Sequence, residues 1–363
     1  MHPYEFLTKD EVEQVHEATM QILQEVGIDF RYPPALEILK KGGARVDGER
    51  VFFPPQLVEA QIKKAPAEFT LYARNSDCDV VIGGSHMAFI PGYGAPFVTD
   101  LDNGRREGAL LDFENFVKLT QASPYQDICS GMVIEPNDVP HEIRHARMIY
   151  AAMKYSEKPF MGSALGAQGA RDSIQMASIL FGDKDRLAEK PRMISILTSL
   201  TPLVYDERML GAIIEYARAG QPQLISSLVI AGATGPTTLA GTLALQNAEI
   251  LAGIVLTQLV RQGTPVVFSG SSSNTEMRSG ALSIGSPEMA VNAAATAQMA
   301  RFYNLPVRGG GAVSDAKAPD AQAAYESMMS LLTVSYTHLT LPTTCRVCRC
   351  RWWAGRCEGG GGG

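Results

Sequence analysis

Several things are scarce in this 363-residue chain, and each absence narrows what it can be. Ahead of residue 335 it has no tryptophan and only two cysteines, Cys78 and Cys129. Two cysteines cannot build a disulfide framework, so a reducing, cytoplasmic compartment is expected. Positive charge is not in excess. The net charge is −6, and setting aside four arginines and one glutamate near the C-terminus leaves −9. A nucleic-acid footprint needs clustered Lys and Arg, so a nucleic-acid partner is not expected. No secretory signal opens the chain, because Thr8, Lys9, Asp10 and Glu11 interrupt any apolar run. The most apolar stretch, Leu239 to Val260, contains Gln246, Asn247, Glu249 and Gln258. Four such groups would be costly in lipid, so it reads as a buried helix rather than a membrane span.

The last 29 residues depart from this composition. Ser335 to Thr344, SYTHLTLPTT, resembles a translated sequencing adapter, and residues 345–363 hold both tryptophans and four of the six cysteines. Residues 335–363 are read as a non-native, disordered tail. Cys345, Cys348, Cys350 and Cys357 are then not a zinc cluster. The expectation is a natural protein that continues beyond this point, so that the chain as written is not a competent enzyme.

What remains divides in two. Residues 1–110 read as an accessory α+β region. Thr8 and Glu11 form a capping box, apolar residues follow at helical spacing to Ile22, Leu23 and Val26, and Gly27 suits a left-handed stop. Pro54 and Pro55 can open a short helix that ends before Pro66. Period-two segments at Phe69–Ala73, Val80–Ile82 and Met87–Ile90 suggest strands, and Asp102-Asn103-Gly104 a hairpin turn. Residues 111–334 change to alternating strand and helix. Apolar strands are expected at Ile128–Ile134, Pro159–Ala164, Met193–Thr198, Gln223–Val229, Pro265–Ser269 and Pro306–Arg308, spaced by roughly a βα unit. Six such units suggest a (β/α)8 TIM barrel truncated before its last two strands. A doubly wound sheet is the alternative, but Glu135-Pro136-Asn137-Asp138 after the first strand has no glycine-rich turn.

Polar and glycine residues collect just past each expected strand: Glu135 and Asn137; Ser163, Gly166 and Gln168; Thr198, Ser199 and Thr201. The series continues with Gly232, Thr234 and Gly235, then Gly270 to Asn274, then Gly309, Gly310, Gly311, Asp315 and Lys317. In a barrel these ends converge on one mouth, where catalysis occurs. Gly309–Gly311 offer a backbone that a phosphate or a bulky ligand can approach, but no Walker spacing accompanies them. His141-Glu142-Ile143-Arg144-His145 matches the H-E-x-x-H of zinc peptidases. The fixed cation at Arg144, the missing third-ligand motif and the nearness of Glu157 in sequence all count against a metal there. Lys317 as a Schiff-base lysine is a further alternative.

Three stretches resemble the trimethylamine methyltransferase family: Leu228–Val260 (LVIAGATGPTTLAGTLALQNAEILAGIVLTQLV), Gly309–Tyr325 (GGGAVSDAKAPDAQAAY), and the N-terminal ILKKGGARVDGERVFFPPQLVEAQIKKAP with FTLYAR. The resemblance covers residues 4–334. It implies a barrel enzyme that moves a methyl group from a methylated amine to the Co(I) of a separate corrinoid protein. The chain itself would bind no cofactor, since the D-x-H-x-x-G cobalt-ligand pattern is absent. The partners would be the small amine, the corrinoid protein and, as an open possibility, a second copy of the chain. No pyrrolysine is written here, so a quaternary amine, which leaves as a neutral amine, is the expected substrate. Tyr93 and Phe97 are candidates to face its cation, Arg308 to hold a betaine carboxylate, and Glu135 and Asp315 to complete the site. A different barrel enzyme, a Schiff-base lyase or zinc hydrolase, and a non-catalytic quaternary-amine binding protein are the competing readings.

Overall fold

The computed structural model describes residues 5–92, 94–100, 104–129, 133–182, 184–316 and 320–338. Helix α1 (Lys9–Gln21) starts at the expected capping box, with the Thr8 amide donating to Glu11 and the Glu11 amide to Thr8 Oγ1. A π-helical turn, Ile22–Val26, follows and stops at Gly27, whose φ of 72° is open to glycine. A small sheet comes next from β1 (Ile28–Phe30), β2 (Arg45–Asp47) and β3 (Arg50–Phe52), with α2 (Pro33–Lys41) between β1 and β2 and α3 (Pro55–Ile62) after them. Two antiparallel pairs complete the N-terminal region: β4 (Glu68–Leu71) with β5 (Val80–Gly83), and β6 (Phe97–Asp100) with β7 (Gly104–Glu107). The turn expected at Asp102-Asn103-Gly104 falls between β6 and β7 in sequence, and residues 101–103 lie outside the described residues. Met87–Ile90, expected as a strand, forms none. Its backbone instead meets the segment expected as the first strand: the Phe89 carbonyl accepts from the amides of Asp127 and Ile128.

From residue 110 the chain alternates. Helices α4 (Leu110–Ala122), α5 (His141–Tyr155), α6 (Gly166–Phe181), α7 (Lys184–Glu189), α8 (Glu207–Arg218), α9 (Leu239–Val260), α10 (Pro287–Phe302) and α11 (Ala321–His338) are interleaved with strands. The strands are β8 (Phe160–Met161), β9 (Met193–Thr198), β10 (Val204–Tyr205), β11 (Gln223–Ser227), β12 (Ile230–Ala231), β13 (Val266–Gly270), β14 (Ser273–Asn274) and β15 (Val307–Arg308). The last helix runs four residues into the segment read as a tail; residues 339–363 lie outside the described residues.

Strands β8, β9, β11, β13 and β15 form one parallel sheet in strictly sequential order. Of the expected first strand, Cys129 forms an isolated parallel bridge to Phe160 at the sheet's edge, and residues 130–132 lie outside the described residues. A doubly wound sheet reverses direction at a switch point; this one does not. One face of the sheet, including Met193, Leu197, Ile225, Val266 and Phe268, packs into the main core beneath the helices. The opposite face presents Ile128, Met161, Ile194, Leu224 and Val267 to a second cluster. That cluster is closed by Phe69, Leu71 and Val80 from the β4–β5 hairpin, with Ala88 and Ile90 beside them. The hairpin is tied to the N-terminal ends of the strands. Tyr72 donates its amide to the Pro191 carbonyl, and Arg192 donates to the Ala73 carbonyl.

Helix α9 is the one described helix long and apolar enough to cross a membrane. Instead 83% of its most apolar window is buried, packed by α1, α2, α3, α8 and α10 and by the sheet. The N-terminal helices therefore share the main core with the sheet. The sheet of β1–β3 reaches residue 204 as well, because β1 pairs in parallel with β10.

Candidate functional site

Register fixes which strand residues share a face. Side chains two apart on one strand point the same way, and register partners on parallel neighbours do too. Thr198, Ser226, Ser269 and Arg308 are successive register partners across β9, β11, β13 and β15. Each lies two residues beyond an inward-facing residue or beside one that does. They make a polar layer at the C-terminal end of the inner face, above the apolar layer that the β4–β5 hairpin covers. The layer is hydrogen-bonded: Ser269 donates to Ser226 Oγ at 3.3 Å, and Arg308 Nη1 donates to the hydroxyls of Ser269 and Ser271, each at 3.2 Å. Arg308 is thus half-buried, on the inner face, with its Nη1 held by two serine hydroxyls.

Beside Thr198 a cavity of about 220 Å³ opens between α5 and the ends of β8 and β9. That is below the range for drug-sized ligands and suits a small metabolite. Its walls include Met148, Ile149, Met161, Ile196 and Met209, with Glu135, Arg144 and His145 at the polar end. Arg144, fourth residue of the zinc-peptidase-like pentad, is paired with Glu135 and also donates to the Val139 carbonyl. His145 Nε2 lies 2.9 Å from Asp172 Oδ2, whose other oxygen accepts from Gln168. Glu157 sits beyond the far end of α5, where Asn75 contacts its carboxylate. The described residues contain no group of three or more His, Cys, Asp or Glu arranged to hold a metal.

The other expected site residues are dispersed. Phe97 is 43% exposed on the β6–β7 hairpin, and its ring face is covered by the Arg105 guanidinium at 4.1 Å. The described lining of the cavity includes no Phe, Tyr or Trp. Tyr93 and Lys317 lie outside the described residues. Gly309, Gly310 and Gly311 follow β15, and Gly310 and Gly311 have room around their α-carbons. The Asp315 carboxylate accepts from the Gly285 amide, so it fastens the loop ahead of α10. The loops after β11 and β13 are joined to each other by the β12–β14 pair.

One residue of this region was visible in sequence only as an argument against lipid. Glu249, in the middle of α9, is fully buried behind the sheet. Its Oε2 accepts from the hydroxyls of Ser199, Thr201 (2.8 Å) and Ser227 (2.7 Å), and its Oε1 from the Leu203 amide at 2.7 Å. The Tyr205 hydroxyl donates to the Glu249 carbonyl, and burial pushes that phenol well above its ordinary range. Cys129, by contrast, is a buried thiol that desolvation raises to about 11, so it is a poor nucleophile.

Comparison with known proteins agrees with the motifs. Residues 1–341 match the family model described as trimethylamine methyltransferase. A glycine betaine methyltransferase of Desulfitobacterium hafniense strain Y51 is 54% identical over 334 residues, which is 92% of this chain and 70% of that protein. A trimethylamine methyltransferase, MttB, of Desulfitobacterium hafniense strain DSM 10664 / DCB-2 is 32% identical over 87% of this chain; this chain spans 64% of its length. The solved monomethylamine methyltransferase of Methanosarcina barkeri aligns with a TM-score of 0.45 and 13% identity, covering 93% of this chain and 76% of that one. With a family match along nearly its whole length and a relative at 54% identity, this chain belongs to the trimethylamine methyltransferase family.

Proposed function

We propose that this protein transfers a methyl group from a carboxylated quaternary amine, a betaine, to the Co(I) of a separate corrinoid protein. The transfer would take place at the C-terminal mouth of a (β/α)8 barrel to which residues 111–334 contribute six units, with residues 1–110 as an accessory region. The sequential, all-parallel strand order and the helix-covered outer face support the barrel. The choice of a betaine is carried by Arg308: it is the cation of the inner polar layer, and its planar fork matches a carboxylate in two hydrogen bonds. The relative named for glycine betaine supports the same choice.

In the reaction the bond between nitrogen and the methyl carbon breaks, its electron pair stays on nitrogen, and a neutral tertiary amine departs. The partner's corrinoid supplies the nucleophile. This chain supplies position: Arg308 anchors the carboxylate, Ser269 and Ser271 hold Arg308, and the inner layer keeps the methyl groups facing the open mouth. Tyr93 is proposed to flank the cation, and Gly309–Gly311 to let the corrinoid or substrate approach the backbone. A direct ion pair to the nitrogen would be counterproductive, because the positive charge vanishes during transfer.

The test is methyl transfer to free Co(I) corrinoid, with glycine betaine and tetramethylammonium as donors. Arg308→Ala should raise KM for glycine betaine about 10- to 100-fold, the worth of a charged hydrogen-bonded pair. It should leave the uncarboxylated donor within about twofold. Equal losses on both donors would remove Arg308 from the site, and no transfer from either donor by the natural protein, with its own sequence in place of residues 335–363, would reject the function.

A further inference from the structure

Two dipeptides at the strand ends face both ways. In Thr198-Ser199 and Ser226-Ser227 the first residue belongs to the inner polar layer and the second to the cage around Glu249. The two are also joined directly, since Ser199 donates its amide to the Ser226 carbonyl at 3.0 Å. Glu249 is therefore one pleat of the sheet behind the surface on which Arg308 lies. Its four contacts are all donors and all neutral, and among the described residues no Lys, Arg or His pairs with it. A carboxylate with 0% exposure and no cationic partner is costly to bury. Hydrogen bonds offset its desolvation but leave its charge uncancelled. An apolar residue on α9, like those that follow it from Ile250 to Leu256, would avoid that cost.

We infer that Glu249 is a specificity-determining residue: its buried charge, acting through the sheet, selects a cationic head group at the mouth over a neutral one of the same shape. The inference rests on the proposal that a quaternary amine binds the inner face. A carboxylate in contact with the nitrogen would hold the ground state and oppose transfer. One pleat behind, it attracts the cation without clamping it, and in a low-dielectric wall it is little screened by salt. A unit charge acting over about 10 Å at an effective dielectric near 20 changes affinity on the order of tenfold.

The experiment compares binding of glycine betaine with that of 3,3-dimethylbutanoate, in which carbon replaces the quaternary nitrogen. The unaltered protein should prefer glycine betaine by roughly tenfold, and Glu249→Gln should abolish the preference. Thermal unfolding of the same variant reports whether the cage survives. Thr201→Val and Ser227→Ala strip donors but keep the charge, and should retain the preference even where stability falls. A preference that persists in Glu249→Gln, or that disappears in the donor variants, overturns the inference and leaves Glu249 a structural residue. Absence of any preference in the unaltered protein overturns it as well. Failure of the unaltered protein to bind either carboxylate is a different outcome, because it rejects the betaine reading itself.

Discussion

Asp112 accepts two hydrogen bonds from Arg106, at 2.6 and 2.7 Å, and one from the Ala109 amide at the start of α4. The Arg106 contact, chiefly, holds its carboxyl below the usual carboxylate range. A carboxylate whose folded value lies below its unfolded value stabilises the fold above the unfolded value and loses that contribution as pH falls through the folded one. With an unfolded value of about 3.9, the urea midpoints of the protein and of Asp112→Asn should differ by a constant amount from pH 7 to pH 5 and converge below about pH 4. Arg106 is more than a third exposed, so solvent screening keeps the difference at about 1 kcal/mol or less. A gap that stays open in acid would mean that packing, and not charge, is what the substitution removes. Lys158 works at the same scale through backbone carbonyls. Its ammonium donates to the carbonyls of Thr120, Ser123 and Gln126, closing the C-terminal end of α4 where unpaired carbonyls collect.

At the scale of elements, α9 decides the packing because almost every neighbour touches it. Gly253 lies where α9 crosses β11, and a β-carbon there would stand 2.6 Å from Ile225 Cγ2 and 2.7 Å from the Tyr205 hydroxyl. Alanine would favour the helix by roughly 1 kcal/mol. Tyr205 cannot swing aside, because its hydroxyl is bound to the Glu249 carbonyl and its ring is stacked on Phe30. Overpacking, at about 1–3 kcal/mol, should therefore win, and Gly253→Ala should lower the Tm by several degrees. An unchanged or higher Tm would show that the helix and β11 have slack the contact distances do not suggest.

For the whole molecule, the N-terminal region is wired into the sheet from two sides. Its helices pack on α9, and its β4–β5 hairpin closes the apolar inner face. Leu71 is completely buried at that closure. Leu71→Ala should cost about 2–5 kcal/mol. Because both cores pack on the same sheet, far-UV circular dichroism should report one cooperative urea transition, shifted as a unit. Two separate transitions, only one of them moved, would show that residues 1–110 unfold independently.

Local chemistry wrote a good part of this structure into the sequence. The Thr8 and Glu11 capping box, the proline-opened α3, the alternation of strands and helices after residue 128 and the burial of α9 all follow from side chains acting on their own neighbourhood. So did the family, since its motifs are contiguous runs. Three things were decided only by the tertiary structure. Strands apolar on both faces do not reveal which face is inner; register did, and it gathered Thr198, Ser226, Ser269 and Arg308 from four separate strands. Met87–Ile90 alternates as a strand should, yet its neighbours made it part of the seal on the inner face instead. Glu249 is separated by 22 residues from Ser227 and by 50 from Ser199, so nothing in α9 announces the cage. Periodicity and capping are local and legible; the meeting of a buried charge with donors from β11 and from the segment after β9 depends on how far-apart segments pack.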